Sequence, residues 1–424
     1  RPVQYCQRAE AIFKETGSLP DLGIVYTLFG TTYGWYADLH KGIEYLQKCL
    51  SILRENDQRW EIAVTERMLA QLLFQIDDRN EARKLAEEST RHSWEIGDLS
   101  NYALGLNLLG NIAGNDQDLD RAIDYNQQAL EIFEEIGDIA NVSLSLYSKG
   151  HLYVSLGEYA QAVEHYHTAE KVMHDIGNIN GIASMIGWQS IALMRMGEYD
   201  SARELRQRSL DLAVETSNMN DIVWGYFELG EIIRLQGDLS TAREMYDRSW
   251  HYFQDLKIFS PRPFYYRGIG DIAFAEGDYI QAKQHFQKSS QMAKEEYHAW
   301  MVIYAQVCLA RAQIRLNELA ESARVLTGAL RGTLLDSNVG LKMLAIVVYA
   351  ELYSAKNQHQ KAAELASLAI ETPATWQEYR DIASDILLIA ARNIPGESLT
   401  RAQMQGKNTD WEYVIGELLS RSTS

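Results

Sequence analysis

Small residues recur every 40 positions along this chain of 424 residues, and this interval constrains the fold more than any other feature. One series comprises Gly30, Ala70, Gly110, Gly150, Ser190, Gly230, Gly270, Ala310 and Ala350. A second series, twelve residues downstream, comprises Gly42, Ala82, Ala122, Ala162, Ala202, Ala242, Ala282 and Ala362, with its eighth position at Ser322 or Ala323. A fixed long period is typical of repeat proteins, in which each unit contacts only its neighbours. The chain is therefore predicted to be an array of similar units, an architecture that favours binding surfaces over reaction centres.

Each unit is predicted to be a pair of helices. In one unit, apolar residues at helical spacing predict a first helix over Ser143–Leu156 and a second from about Glu158. Gly157 separates the two, and Gly177-Asn178 ends the second. Two helices alone cannot bury this much apolar surface, so successive hairpins are expected to stack. Because glycine within a helix costs about 1 kcal/mol relative to alanine, the recurrent glycines are expected where helices approach most closely.

The spacing of small and aromatic residues in this unit resembles the tetratricopeptide repeat (TPR). The residues and segments that carry the resemblance are Gly150, Tyr153, Gly157, Ala162, Tyr166, Ala169, Leu109–Asn115 and Gly237–Tyr246. The usual TPR has 34 residues. The six additional residues fall at the end of the second helix, so this helix, its connector or both are expected to be longer. A HEAT array has a similar period but lacks the pattern of glycine and alanine.

Repeats of 40 residues, with endings such as Glu131–Ala140, are similar to those of two groups of proteins. One is the sensor arrays of bacterial signal-transduction ATPases and LuxR-type activators, including the maltose activator. The other is the spindle-orientation adaptors. The resemblance extends to about Arg392 and implies an all-α fold. That fold is a right-handed TPR superhelix (α-solenoid) of about nine full 40-residue helical hairpins plus partial end units.

Three regions are predicted along the chain. Residues 1–22 form the second helix of an incomplete first repeat, because Tyr5–Gly17 matches the segment three periods later. Residues 23–375 form nine TPR-like repeats, and residues 376–424 form a C-terminal half-repeat with capping helices. The chain is therefore expected to start within a repeat and to belong to a larger protein. The joint at Lys257–Pro263 contains two prolines and is expected to be either a bend in the array or an ordinary loop variant.

The composition disfavours several classes of partner. The formal net charge is -18 and the isoelectric point is near 5.0, so direct contact with nucleic acid or with an anionic membrane surface is not expected. No run of apolar residues is long enough to cross a membrane. The three cysteines are scattered and odd in number, which favours reduced thiols and a cytoplasmic location.

No motif for catalysis, for cofactor binding or for metal binding is present, so the chain is not expected to be an enzyme. There is no phosphate-binding glycine loop and no HExxH motif. His165 and His167 are two residues apart, and such side chains point away from each other on a helix. No cofactor or metal ion is therefore predicted.

In the TPR fold the first helices line a concave face, so the resemblance implies which side chains point toward a ligand. The candidate groove residues are Asn107, Asn111, Tyr147, His151, Trp188, Arg195, Trp224, Phe227, Arg234, Arg267, Arg311 and Arg315. The amide groups of Asn107 and Asn111 are suited either to holding a peptide backbone or to hydrogen bonding between repeats. The expected ligand is a peptide, a partner protein or an anionic small molecule.

Five arginines of an acidic chain fall on this predicted face. Arginine binds carboxylates and phosphates through two parallel hydrogen bonds, and the aromatic candidates would add apolar anchors. The alternative is intramolecular pairing. Arg267 and Asp271 are four residues apart, and Arg234 and Glu231 are three apart, which are both spacings at which helical side chains meet. Arg311 and Arg315 have no acid four residues away in their own helix. Ligand binding and intramolecular pairing both remain open for the five arginines.

These features predict a scaffold that binds a protein, an acidic peptide, an anionic ligand or an upstream domain of the same chain. The favoured role is the sensor or interaction domain of a larger signalling or transcription-regulating protein. The alternative is a free-standing adaptor that assembles peptide-bearing partners without a switching role.

Overall fold

The computed structural model describes residues 8, 10–13, 15–16, 19–36, 39–76, 78–116, 118–254, 261–296, 298–334 and 338–421. Within these ranges every long regular element is an α-helix, and no strand occurs. The helices alternate between a first and a second position in each repeat. The first helices are α1 (Leu19–Tyr36), α3 (Arg59–Gln75), α5 (Leu99–Asn115), α7 (Ile139–Leu156), α9 (Ile179–Met196), α11 (Met219–Leu235), α13 (Arg262–Ala275), α15 (Ala299–Arg315), α17 (Val339–Ala355) and α19 (Gln377–Asn393).

Nine second helices follow, and two further helices end the described chain. The second helices are α2 (Leu39–Glu55), α4 (Arg79–Ile96), α6 (Leu119–Glu135), α8 (Tyr159–Asp175), α10 (Tyr199–Glu215), α12 (Leu239–Gln254), α14 (Tyr279–Glu295), α16 (Leu319–Thr333) and α18 (His359–Glu371). The final helices are α20 (Gly396–Asn408) and α21 (Trp411–Arg421). Helices α1 to α18 thus form the nine helical hairpins that the 40-residue period predicts.

Turn residues with a positive φ angle recur with the same period. Within hairpins this residue is Gly157, Gly197, Gly237, Gly277, Asn317 or Asn357, and between hairpins it is Asp57, Gly97, Gly137, Gly177 or Ser217. The left-handed region is accessible to glycine without strain and to asparagine and aspartate at low cost. The turn glycines in the sequence are therefore explained by backbone conformation.

The glycines inside first helices are explained by close packing. A Cβ atom on Gly110 would lie 2.8 Å from the Asn126 side chain, and one on Gly270 would lie 2.7 Å from the ring of Phe286. Both partners lie on the second helix of the same hairpin, sixteen residues later. The expectation of close approach at the recurrent small positions is confirmed at these hairpins.

The six residues beyond the usual repeat length extend the helices and do not lengthen the connectors. Helix α7 begins at Ile139, four residues before the predicted start, and α8 continues to Asp175. Asn178 explains the early start of the next first helix, since its side chain accepts a hydrogen bond from the backbone N–H of Gly181 and caps α9. The prediction of a first helix starting at Ser143 was wrong. Asp138, at the position equivalent to Asn178, accepts a hydrogen bond from the backbone N–H of Asn141 and caps α7 at its earlier start.

The chain divides into two compact units. Unit 1 comprises residues 1–152 and 257–259, and unit 2 comprises residues 153–256 and 260–424. The core of unit 1 includes the fully buried side chains of Phe29, Leu46 and Ile112. Residues 257–260 of the proline-rich joint lie outside the described residues, and Pro261 precedes α13. The bend or hinge at this joint therefore stays a prediction.

Candidate functional site

The candidate residues of unit 1 lie on α5 and α7. Asn107 is buried and its Nδ2 donates a hydrogen bond to Ser145 Oγ at 2.9 Å. The same hydroxyl donates to Asn107 Oδ1 at 3.3 Å. This is the hydrogen bond between repeats that the sequence left as an alternative. Asn111, one turn later on α5, is half-buried.

Tyr147 and His151 form an aromatic pair on α7. Their ring centres are 4.3 Å apart with the rings nearly perpendicular. Burial raises the pKa of Tyr147 to about 12 and lowers the pKa of His151 to about 4. Both side chains are therefore uncharged at neutral pH, so this pair offers hydrogen-bonding groups and no charge.

The aromatic candidates of unit 2 pack on rings of neighbouring helices. Trp188 stacks on Tyr166 of α8 with 6.3 Å between ring centres. The ring of Trp224 meets Phe264 of α13 edge-on at 4.7 Å, and Phe227 packs beside both rings. Phe227 is buried, whereas Trp188 and Trp224 are partly exposed. These side chains contribute to the packing between successive hairpins.

Arg267 is at the centre of a buried ionic cluster. Its guanidinium lies 2.7 Å from a carboxylate oxygen of Glu231 and donates to Asp271 at 2.5 Å. Glu231 also accepts a hydrogen bond from the hydroxyl of Tyr246. Only 2% of the Arg267 side chain is exposed, so a ligand cannot reach it in this conformation. The i,i+4 pairing that the sequence offered as the alternative is present.

Burial and charge act in opposite directions on the acids of this cluster. Burial alone would raise the pKa of Glu231, but the charges of Arg267 and Arg234 lower it below its usual value. Burial dominates at Asp271 and raises its pKa to about 6 despite the same two arginines. The buried charges are therefore matched by hydrogen-bonded partners, as stability requires.

Arg311 and Arg315 share one carboxylate on the next first helix. Arg311 Nε donates to Glu351 at 2.8 Å, and Arg315 donates to the other oxygen of Glu351 at 3.0 Å. Glu351 is 40 residues from Arg311, so the period that builds the array also brings this pair together. Arg315 remains 47% exposed, whereas Arg311 is nearly buried.

Three of the five arginines also contact one short segment of the chain, residues 372–379, which we call the return segment. The guanidinium of Arg195 lies 3.2 Å from the centre of the Trp376 ring. Arg234 donates to both carboxylate oxygens of Glu378, at 3.1 and 3.3 Å. Arg311 lies 5.7 Å from the ring of Tyr379. We call the three arginines Arg195, Arg234 and Arg311 the arginine row.

Arg195 differs from the other two members of the arginine row. Within the described part of the chain it forms no ion pair with a carboxylate. Burial lowers its pKa below the usual value for arginine. Its direct neighbour is an aromatic ring, which stabilises a cation by less than a hydrogen-bonded carboxylate does.

The return segment connects α18 to α19 and crosses several first helices of unit 2. Thr372 and Trp376 have extended backbone conformations. The carbonyl oxygen of Ala374 accepts a hydrogen bond from the hydroxyl of Tyr159 at 2.8 Å, although the two residues are 215 positions apart. Trp376 also meets the ring of Tyr304 at 5.4 Å. The segment therefore lies on the face that α9, α11 and α15 form together.

The sequence did not predict the partners that the return segment supplies. Trp376, Glu378 and Tyr379 were assigned only to the start of a terminal half-repeat. The available signal was Pro373, which interrupts the helical pattern where most connectors carry a glycine or a polar turn residue. Proline explains the extended conformation, but a local pattern contains no information on which distant helices the segment contacts.

A separate cleft lies on the second-helix side of unit 2. It has a volume of about 690 Å³ and is lined by residues of α11 and α12, including Tyr226, Arg243 and Arg248. Arg248 pairs with Glu244 at 2.6 Å within the same helix. None of the candidate groove residues lines this cleft.

Among the helices that the structure describes, none is both long enough and apolar enough to cross a membrane. No cluster of three histidine, cysteine, aspartate or glutamate side chains within the described ranges could hold a metal ion.

Residues 101–173 match the family model described as tetratricopeptide repeat. The matched segment begins in α5 and ends in α8. Together with the nine helical hairpins, this match identifies the fold as that of a TPR α-solenoid, a repeat scaffold. No curated protein sequence matches the chain.

Solved structures show the same fold at low sequence identity. A Rap protein complexed with competence and sporulation factor has 12% identity and a TM-score of 0.57, and the alignment covers 86% of this chain and 99% of that one. Aspartyl phosphate phosphatase F from Bacillus subtilis has 12% identity and a TM-score of 0.55, with 76% and 91% covered. A signal transduction ATPase with a TPR sensor from Pyrococcus horikoshii has 13% identity and a TM-score of 0.44, with 89% and 54% covered.

Proposed function

We propose that this chain is the interaction domain of a larger signalling or transcription-regulating protein and binds a peptide segment of its partner. The proposed binding face is the first-helix face of unit 2, formed by α9, α11, α13, α15 and α17. The partner segment carries carboxylates and at least one aromatic ring. The fold supports a binding role, since a Rap protein of the same fold is known in complex with competence and sporulation factor.

Arg195 is the observation that carries the proposal. It is a permanently charged group in a site buried enough to lower its pKa, and it forms no ion pair with the described residues. A buried cation without a carboxylate is costly, and a ligand that supplies one would recover that cost. Arginine also binds carboxylates through two parallel bonds, which would orient the ligand.

The chemistry of the ligand follows from the surroundings of Arg195. Trp376 and Tyr304 present rings beside the guanidinium, so an incoming segment has aromatic surfaces on which a ring can pack. Arg234 lies on the next first helix and donates to both carboxylate oxygens of Glu378. A segment with an acid and an aromatic residue a few positions apart fits this arrangement.

The proposal can be tested by selecting ligands from a displayed library of random peptides with the whole chain as bait. Acidic residues close to aromatic ones should be enriched, and the selected peptides should lose roughly ten-fold or more in affinity for the Arg195→Gln variant. Arg203→Gln is the matched control, since Arg203 is an exposed arginine of α10 that donates only to Gln236. Enrichment without acidic residues, or equal binding to both variants, would reject the proposed site.

A further inference from the structure

The return segment has the chemistry that the proposed function assigns to a partner. It presents an aromatic ring to Arg195, a carboxylate to Arg234 and a second ring to Arg311. The three contacts follow one another along the segment at Trp376, Glu378 and Tyr379. They also follow one another along the array, from α9 to α11 to α15. The segment thus lies along the repeats as an external peptide would.

The segment reaches this face in a defined conformation. The guanidinium of Arg380 donates to the carbonyl oxygens of Ile370 at 2.7 Å, Thr372 at 2.8 Å and Thr375 at 3.0 Å. The carbonyl groups of Thr372 and Thr375 lie outside any helix, and that of Ile370 lies in the last turn of α18, so Arg380 at the start of α19 satisfies backbone groups on both sides of Pro373. These bonds hold the segment in addition to its contacts with the arginine row.

The face is shaped to accept the segment closely. A Cβ atom on Gly157 would overlap the backbone of Ala374. A Cβ atom on Gly340 would lie 2.6 Å from the indole nitrogen of Trp376. Other turns of the same type have free space, since no atom lies within 4 Å of a Cβ built on Gly237. The close approach is therefore specific to the place where the return segment docks.

The fit of the segment is incomplete at one position. Glu378 pairs with Arg234, and although burial alone would raise the pKa of Glu378, the charge of Arg234 and its hydrogen bond lower this pKa below its usual value. No carboxylate of the segment reaches Arg195. An external segment that offered the same ring and acid, plus a carboxylate for Arg195, would make every contact of the return segment and one more.

We propose that the return segment is an intramolecular ligand of the first-helix face of unit 2, and that a partner segment of acidic and aromatic character binds by displacing it. This inference rests on the proposed function and names both its regulation and its partner class. Binding of the partner and docking of the return segment are mutually exclusive, because both use the same arginine row. The basal state of the face is thus the occupied one.

The test uses a fluorescein-labelled synthetic peptide with the sequence of residues 371–382, titrated against the full chain and followed by fluorescence polarisation. The chain with Trp376→Ala and Glu378→Gln loses the contacts of its own segment with Arg195 and Arg234, while every residue of the face itself is unchanged. It should bind the peptide roughly ten-fold or more tightly than the unaltered chain does. A peptide carrying the same two substitutions should not bind.

Two matched controls locate the binding. The chain with Leu388→Ala and Asp385→Asn, both exposed positions of α19, should bind the peptide no better than the unaltered chain. In the Trp376→Ala and Glu378→Gln background, Gly157→Ala should abolish binding by overlap with the docked peptide backbone. Gly237→Ala, at a turn with the same left-handed backbone, should leave binding unchanged.

The outcomes separate this inference from the proposed function. If the doubly substituted chain keeps its helical circular dichroism but binds the peptide no better than the unaltered chain, the return segment is not an exchangeable ligand. If it loses its helical signal, Glu378→Gln alone decides the question by the same titration. Library selection that yields acidic aromatic peptides would retain the proposed function even when the displacement test fails. Failure of both experiments would reject the binding face itself.

Discussion

Two glycines inside helices of unit 2 show how context reverses the effect of one methyl group. A Cβ atom on Gly230 would lie 2.8 Å from the ring of Tyr246, whose hydroxyl is bonded to Glu231. A Cβ atom on Gly328 would meet nothing within 4 Å. Both residues lie within helices, so the backbone contribution of the substitution is the same at the two positions.

Gly230→Ala is expected to destabilise the protein by about 1–3 kcal/mol, because the Tyr246 ring must move in a packed and hydrogen-bonded site. Gly328→Ala is expected to stabilise it by up to about 1 kcal/mol through helix propensity alone. Urea denaturation followed by circular dichroism measures both. Equal effects of the two substitutions would show that the first-helix glycines are not close-contact positions.

His151 makes the stability of the protein depend on pH. Its pKa is about 4 in the folded chain and 6.5 without burial, so the unfolded state binds more protons between these values. The free energy of unfolding is therefore unaffected by this group above about pH 6.5, and it decreases as the pH falls from there toward about 4.

We expect the unaltered chain to lose about 1–2 kcal/mol more than the His151→Gln variant between about pH 7 and about pH 5. The comparison of the two proteins removes the effect of other titrating groups, among them Asp271, whose raised pKa acts in the opposite direction. Denaturant titrations at the two pH values provide the measurement. Parallel loss in both proteins would show that His151 is accessible to protons in the folded state.

The sequence identified the small residues correctly, but among the partners of the charged residues it offered only those within the same helix, such as Asp271 for Arg267. The recurrence of glycine and alanine follows from contacts within one hairpin, sixteen residues apart, and such contacts leave a periodic trace. The ion pair between Arg311 and Glu351 joins neighbouring repeats. The sequence alone is equally consistent with this ion pair and with an Arg311 that binds a ligand. The choice depends on the directions in which the two side chains point.

At the level of helices, a recurrent hydroxyl group links four of the second helices to the first helix of the same hairpin. The donors Ser89, Ser209, Ser249 and Ser289 bond to the carbonyl oxygens of Ala63, Ala183, Val223 and Pro263, each 26 residues earlier, at 2.6–2.8 Å. Cys49 takes the same position in unit 1, and its thiol donates to Gly23 at 3.3 Å. The position thus explains one of the scattered cysteines as a structural thiol.

Ser249→Ala should destabilise the protein by about 1 kcal/mol, the usual net contribution of one buried hydrogen bond. Ser240→Ala on the same helix is the control, since Ser240 is exposed. Thermal unfolding of the two variants beside the unaltered chain measures the difference. A midpoint for Ser249→Ala that equals the control would show that the bond contributes nothing net.

Helix existence could be predicted from the sequence more reliably than helix starts. The nine hairpins follow the 40-residue period, and α8 begins within one residue of its predicted start. Helix α7 begins four residues earlier than predicted, because first helices are capped by side chains such as Asn178 of α9. A cap is a single residue, and it carries less information than a repeated apolar pattern.

At the scale of the whole molecule, unit 2 is held together by a contact between residues far apart in the chain. Arg234 on α11 and Glu378 on α19 are 144 positions apart, and both are largely buried. A pair of this kind is weakly stabilising as a pair, but removing one member leaves a buried charge without its partner.

Glu378→Gln should therefore destabilise the protein by about 2–4 kcal/mol, whereas Asp385→Asn at an exposed position of the same helix should change it by less than about 0.5 kcal/mol. Hydrogen exchange measured by mass spectrometry should show the loss of protection in α11 as well as in α19. Loss confined to α19 would mean that the ion pair does not connect the two helices in solution.

The amino-acid sequence by itself determined the helical hairpin, its period of 40 residues and the number of hairpins. These properties depend on contacts within one repeat or between neighbours, and every repeat records them again. Only the tertiary structure decided that residues 372–379 lie on the arginine row. That contact occurs once and joins positions up to 215 residues apart. It depends on how small rotations between successive repeats add up, and no local pattern of residues encodes their sum.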